Sequence, residues 1–217
     1  MRASSPATVA SRRHHLALAT AIGASAATIG AILTRLDADE HWAIDHIVRD
    51  VLRLRQMPRT RATLRILGLA GTVGVYVPVA GAATWLVTRR SGAERAAPVL
   101  ASVAAAAAAS WLLKRAVRRP RPAPLQGAVN ERPSFPSGHS TRAAATSLIV
   151  AYVLARECMV SRRVAVPLAI AITVAVGASR AYADAHWTTD VVGGWALGAA
   201  AAAGAALWYE RIRAAGA

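Results

Sequence analysis

Three short stretches hold the residue types that a phosphoryl-transfer site needs. The densest is Ser179-Arg180-x5-His186-x3-Asp190, which sits between two long apolar runs. A histidine and an aspartate four apart share one face of a helix. A carboxylate on one ring nitrogen fixes the imidazole tautomer and leaves the other nitrogen free to attack. Arg180 adds a cation. Pro136-Ser137-Gly138-His139 precedes another apolar run. Ser137 is placed to cap that helix, Gly138 allows close backbone approach, and the first helical N–H groups form an anion site with His139 beside it. Lys114-x6-Arg121-Pro122 supplies a point charge and a planar fork, both suited to phosphate oxygens. Taken singly, the last two stretches have plainer explanations, a helix start and a basic loop beside a span. Two histidines, an aspartate and three cations at one place do not.

The elements that must bring them together are membrane spans. More than half of the 217 residues are apolar. They come in long runs rather than in alternation, which points to a polytopic, all-α membrane protein. Leu16–Leu33, Leu64–Val87, Pro98–Leu113, His139–Ala155, Val164–Ala178 and Asp190–Trp208 read as six transmembrane helices. The first is a retained span; the alternative, a cleaved signal peptide, needs a shorter apolar core. Residues 1–15 form a basic N-terminal tail and residues 16–217 a single integral-membrane domain. Asp37–Gln56 alternates apolar and charged residues at a helical period, which predicts an amphipathic interfacial helix with His41 and His46 on its surface. Pro78 is tolerated inside the second span because neighbouring helices can satisfy the freed carbonyl. Gly194-x3-Gly198 predicts close helix packing. With six spans, the ends carrying Lys114, His139, Arg180 and His186 emerge on one membrane face.

Net charge is +15, and Lys114 is the single lysine among 26 basic residues. The arginines punctuate apolar spans and no nucleic-acid recognition module is visible, so anionic membrane lipids are the expected partners and nucleic acid is not. The lone Cys158 excludes an intrachain disulfide, and no His/Asp/Glu set has metal-ligand spacing.

The arrangement K-x6-RP, PSGH and SR-x5-H-x3-D resembles the three-part signature of the type 2 phosphatidic acid phosphatase superfamily, with all its identities present in order over residues 114–190. That family includes lipid phosphate phosphatases, undecaprenyl-diphosphatases and vanadium haloperoxidases; the last are expected to be larger and soluble. The resemblance implies that His186 is the nucleophile of a phosphohistidine intermediate, oriented by Asp190. It implies that His139 protonates the leaving oxygen and then serves as base for water. Lys114, Arg121, Ser137, Gly138 and Arg180 are implied to hold the phosphoryl oxygens, with no metal or other cofactor. Arg118, Arg119 and Arg142 lie beside the signature and are candidates for contacts to a second phosphate, the alternative being lipid headgroups.

The expected function is therefore a membrane phosphatase or diphosphatase acting on a lipid phosphate such as a polyprenyl diphosphate or phosphatidic acid. Passing the phosphoryl group to another lipid is a second enzymatic reading. A non-catalytic lipid-phosphate binder or transporter is the reading from another class, and it would need the cations but not His139, His186 and Asp190. With the N-terminus inside, 11 of the 26 basic residues fall on the inner side and 15 on the side of the site. That count opposes an outward-facing site until the catalytic cations and those of the amphipathic helix are set aside, when it becomes nearly even. The resemblance favours a site on the extracytoplasmic side of the cell membrane.

Overall fold

The computed structural model describes residues 6–36, 43–55, 57–123 and 131–216. Their regular structure is helical throughout: α1 (Pro6–Leu33), α2 (Ala43–Leu54), α3 (Pro58–Gly68), α4 (Val73–Ser91), α5 (Ala93–Val117), α6 (Gly138–Arg156), α7 (Arg162–Tyr182) and α8 (Thr188–Ala215), with a 3-10 turn, Leu69–Gly71, between α3 and α4. Alanine dominates α5 and α8, which raises helix propensity and lets backbones approach. α6 lies at the centre, packed by α5, α7 and α8, while α1 covers α8. Gly194 and Gly198 face α6 directly; a Cβ on Gly194 would lie 2.7 Å from the Ser137 carbonyl, so the expected small-residue contact is present. The largest apolar core gathers Val87, Val99, Ile149, Val153 and Tyr209 away from the signature residues.

One expectation needs correction. The predicted single second span is a bent pair: α3 and α4 meet at 49°. The break is at Leu69–Thr72, whereas Pro78 sits within an unbroken α4. Gly68 and Gly71 explain the position, because both are pressed against site side chains where a Cβ would collide, Gly68 on Arg180 and Gly71 on His139. The count of six spans is met in part. Among the described residues, four helical stretches are long and apolar enough to cross a membrane, within α1, α5, α7 and α8, and the bent pair makes five. α6, the expected fourth span, is not among them. Its first turns carry His139, Ser140, Thr141 and Arg142, and α5, α7 and α8 enclose it, so it need not be apolar. At the N-terminal side, α1 begins at Pro6, within the basic stretch of residues 1–15.

Of the helix predicted over 37–56, Ala43–Leu54 is helical as α2, while residues 37–42 and 56 lie outside the described residues, and its faces are the reverse of a water-exposed surface helix. Ile44, Ile47, Val51 and Leu54 are exposed, while Asp45 is completely buried and Arg49 and Arg53 turn inward to Asp184. His46 is exposed, in keeping with its expected surface position, and tilts over Trp187; His41 lies outside the described residues.

Candidate active site

The C-terminal end of α5, the loops after it and after α7, and the first turns of α6 and α8 converge on His186. This residue lies in the short connection before α8, where Trp187 is the N-cap. Asp190 stands one turn into α8, and its Oδ2 accepts the Trp187 backbone N–H at 2.9 Å, so the helix start and the carboxylate fix each other. His186 Nδ1 faces the same Oδ2 at 3.4 Å, long for a full hydrogen bond. On the opposite edge of the ring, Arg121 Nη1 donates to Nε2 at 3.1 Å. A guanidinium can only donate, so Nε2 carries the lone pair and the ring proton sits on Nδ1, toward Asp190. Burial, outweighing the attraction of Asp190, brings the His186 imidazole down to about 4, so it is neutral across the physiological range.

Asp190 is itself held from several sides. Its Oδ1 accepts from Arg119 Nη1 at 2.8 Å, and its Oδ2 accepts from the Ser134 hydroxyl. Arg119 Nη1 also reaches Thr189 Oγ1 at 2.7 Å, and its Nη2 reaches Asp45 Oδ2 at 2.8 Å. Asp45 completes the ring by accepting from the Thr189 backbone N–H at 2.8 Å and from the Thr189 hydroxyl at 2.6 Å. Asp45 and Asp190 are completely buried, and Arg119 is nearly so. Buried charges of this kind persist only when paired and fully hydrogen-bonded.

Four other cations lie around the two imidazoles, Lys114 and Arg121 by His186 and Arg142 and Arg180 by His139, with a different kind of partner. Lys114 Nζ donates to the carbonyls of Pro133 and Ser134 at 2.9 and 3.0 Å. Arg121 donates to the carbonyls of Arg132 and Ala185 at 2.9 and 2.6 Å. Arg142 reaches the Gly71 carbonyl at 3.3 Å and lies over the Tyr76 ring, while Arg180 touches the Ser179 hydroxyl. Among the described residues, no ion pair joins any of these four to a carboxylate. His139 stands in the field of Arg180, Arg142, His186 and Arg121. Concentrated positive charge without carboxylate partners is an anion site.

The structure thus brings together His186, Asp190, His139, Lys114, Arg121 and Arg180, with Gly138 and Arg142 alongside. A Cβ on Gly138 would lie 3.1 Å from the Arg142 guanidinium. Ser137 occupies the N-cap of α6, but its side chain makes no capping bond; Oγ accepts from Ser140 and its backbone N–H is bonded to the Asp190 carbonyl at 2.9 Å. Arg118 is exposed in a left-handed conformation (φ 51°) and bonds back to the Arg115 carbonyl, away from the cluster. Arg119 departs furthest from its expected role: both arms of its guanidinium are engaged by carboxylates beneath the imidazole, so it does not face a second phosphate. Asp45, Ser134 and the 3-10 turn were not expected at the site. The signal for the turn was present as Gly68-x2-Gly71-Thr72 inside an apolar run. No comparable signal marked Asp45. Among the described residues, no three His, Cys, Asp or Glu side chains gather as metal ligands.

Below Arg142, an apolar cavity of about 300 Å³ opens between α4, α6 and α7. Tyr76 both lines it and carries the Arg142 guanidinium on its ring.

Residues 95–214, more than half of the chain, match the family model described as the PAP2 superfamily. Among characterised proteins, phosphatidylglycerophosphatase B of Bacillus subtilis (strain 168) is 41% identical over 68 residues. That stretch is 30% of this chain and 34% of the relative, so the match spans about a third of the relative's length. The crystal structure of a transmembrane PAP2 type phosphatidylglycerolphosphate phosphatase from Bacillus subtilis superposes with a TM-score of 0.76 at 24% identity, covering 90% of this chain and 96% of that one. Aquifex aeolicus LpxE gives 0.60 at 21% identity, covering 78% and 98%. These two likenesses are of fold.

Proposed function

The chain belongs to the PAP2 superfamily, and from that premise we propose that it is an integral-membrane phosphatase that hydrolyses a lipid phosphate through a phosphohistidine on His186. The observation that carries this reading is the group of four cations, without carboxylate partners among the described residues, around His139 and a neutral His186 whose Nε2 bears the lone pair. Phosphatidylglycerol phosphate is the first substrate to test, since two of the similar proteins are named for it. The apolar cavity beside Tyr76 suits an acyl chain hanging below a phosphate held at Arg142.

The reaction runs in two displacements. As the phosphate enters, Arg121 exchanges His186 Nε2 for a phosphoryl oxygen and frees the lone pair. Lys114, Arg142 and Arg180 take further oxygens, neutralising charge as it develops. Nε2 attacks phosphorus while the P–O bond to the lipid breaks, and His139, protonated once the bound phosphate offsets the surrounding cations, gives that proton to the leaving oxygen. His139 then takes a proton from water as that water attacks phosphorus, the P–N bond breaks, and Nε2 regains its lone pair. Nδ1–H stays toward Asp190 throughout, stabilising the positive ring of the intermediate.

The same reading assigns a sixth crossing to α6, shielded from lipid by its neighbours. Its 19 residues extend about 28 Å at the usual helical rise. It lays α2 in the headgroup layer with Ile44, Ile47, Val51 and Leu54 toward lipid, and sets the site on the extracytoplasmic side. The test is phosphate release from a panel of lipid mono- and diphosphates in detergent with EDTA present. Wild type should release phosphate and be inhibited by vanadate, and His186→Asn should be inactive. Full activity in His186→Asn would refute the mechanism, and the panel identifies the lipid.

A further inference from the structure

Asp45 and Arg119 do no work in the reaction as written, yet with Asp190 they form the most completely buried charged group among the described residues. We propose that Asp45 and Arg119 are positioning residues for His186: Arg119, restrained on its far side by Asp45, fixes the orientation and effective charge of Asp190, and through Asp190 the tautomer and basicity of the attacking imidazole. The inference rests on the reading of His186 as nucleophile.

The geometry supports action at one remove. Arg119 sits between two carboxylates, 2.8 Å from each, and is 5% exposed, so it does not reach a ligand in the cation cluster. Asp45 comes from α2, more than a hundred residues before Asp190 in sequence. It accepts the backbone N–H of Thr189, an otherwise unpaired donor in the first turn of α8. One carboxylate therefore both caps the helix that carries Asp190 and holds the guanidinium that polarises it. Asp45 also opposes the field of Arg119. With Asp45 in place, the pair of acids and one arginine leaves a net negative charge to stabilise an imidazolium. Without Asp45, Arg119 alone neutralises Asp190. Without Arg119, two negative charges face the ring. The two substitutions must push the basicity of His186 in opposite directions.

The remaining charged and titratable groups near the ring are Lys114 of α5, Arg121 of the following loop, His139 and Arg142 of α6, Arg180 of α7, and His46 and Arg49 of α2, which pack on Trp187 with the Arg49 guanidinium at 5.0 Å. None is altered in the test.

The experiment is a pH titration of ring nitrogen shifts in [15N]histidine-labelled full-length protein in detergent micelles. The His186 signals are assigned by their loss in His186→Asn. Asp45→Asn should lower the pH at which His186 protonates, and Arg119→Gln should raise it, each by about one unit. The double variant, which restores the net charge of the chain, should return close to wild type. Arg119→Gln leaves two buried acids facing each other and is the variant at risk of misfolding; the double variant lacks that repulsion and carries the test if it fails. Steady-state phosphate release supplies the second readout. Asp45→Asn and Arg119→Gln should lower kcat by about 10–100-fold with KM within about twofold, and Arg119→Lys should recover part of kcat. Shifts that do not move, or that move in the same direction, would overturn the proposal, as would a wild-type kcat in either single variant. A wild type that releases no phosphate would instead refute the phosphatase reading, and the titration still reports on the ion chain.

Discussion

The two ends of the helix bundle are both polar, and they treat charge in opposite ways. At the end away from His186, Arg156 makes a two-pronged pair with Glu210 at 2.7 and 2.8 Å, and Tyr152 donates to the same carboxylate. Glu157 takes the hydroxyls of Ser91 and Tyr209, with Arg95 at 3.8 Å. Each of these carboxylates thus meets an arginine and at least one hydroxyl, which joins α4, α6 and α8 into a clamp. At the His186 end, Asp45, Arg119 and Asp190 are matched just as closely, but Lys114, Arg121, Arg142 and Arg180 are left over. Matched charge holds helices together, whereas surplus charge in a partly desolvated pocket costs stability and is retained for a ligand.

That contrast can be broken or sharpened by mutation. The largest effect falls on the surplus cations. Arg121→Gln and Lys114→Met should each lower kcat/KM by about 10²–10³-fold, as for removal of a preorganised transition-state donor. Thermal unfolding should show no loss of stability in either variant. A drop in Tm matching the lost activity would make these cations structural.

Acid should come next. His186 is held down to about 4, below its ordinary 6.5. The unfolded chain therefore binds a proton there before the folded one does. The stability tied to neutral His186 is intact above pH 6.5 and is lost as the pH falls toward 4, by about 3 kcal/mol in all. Denaturant unfolding at pH 7 and pH 4.5 measures the difference, and His186→Asn should remove this part of it.

Smaller again is the response of the matched end. Glu210→Gln should cost about 1–2 kcal/mol by thermal unfolding and leave kcat within about twofold, because it unpairs Arg156 without touching the site. At the bottom of the scale, Arg118→Ala should change neither stability by more than about 0.5 kcal/mol nor activity by more than about twofold. A substantial loss with a diphosphate substrate would return Arg118 to the site.

The sequence made the surplus end legible and much of its support invisible. Lys114, Arg121, His139, Arg180, His186 and Asp190 stood out because reactive and charged residues beside apolar runs are costly and therefore informative. Helical class followed from the length of those runs. The break at Leu69–Thr72 was missed because hydropathy averages over it, although two glycines marked the place. α6 reads as a span from its apolar run between polar stretches, while its polar first turns keep it below the hydropathy of the lipid-facing helices because its neighbours enclose it. Periodicity puts Asp45 on the charged side of the Asp37–Gln56 helix, but it gives the face and not what that face packs against. Arg119 was grouped with its neighbours by adjacency, yet the left-handed residue before it turns it inward while Arg118 stays out.

The most direct test of the central claim is a rapid-quench experiment with phosphatidylglycerol [32P]phosphate, or whichever lipid phosphate the panel selects. Protein quenched in base within the first turnovers should carry an acid-labile, base-stable label on His186 in wild type and none in His186→Asn. Full phosphate release by His186→Asn, or turnover by wild type with no labelled protein at any time, would contradict it.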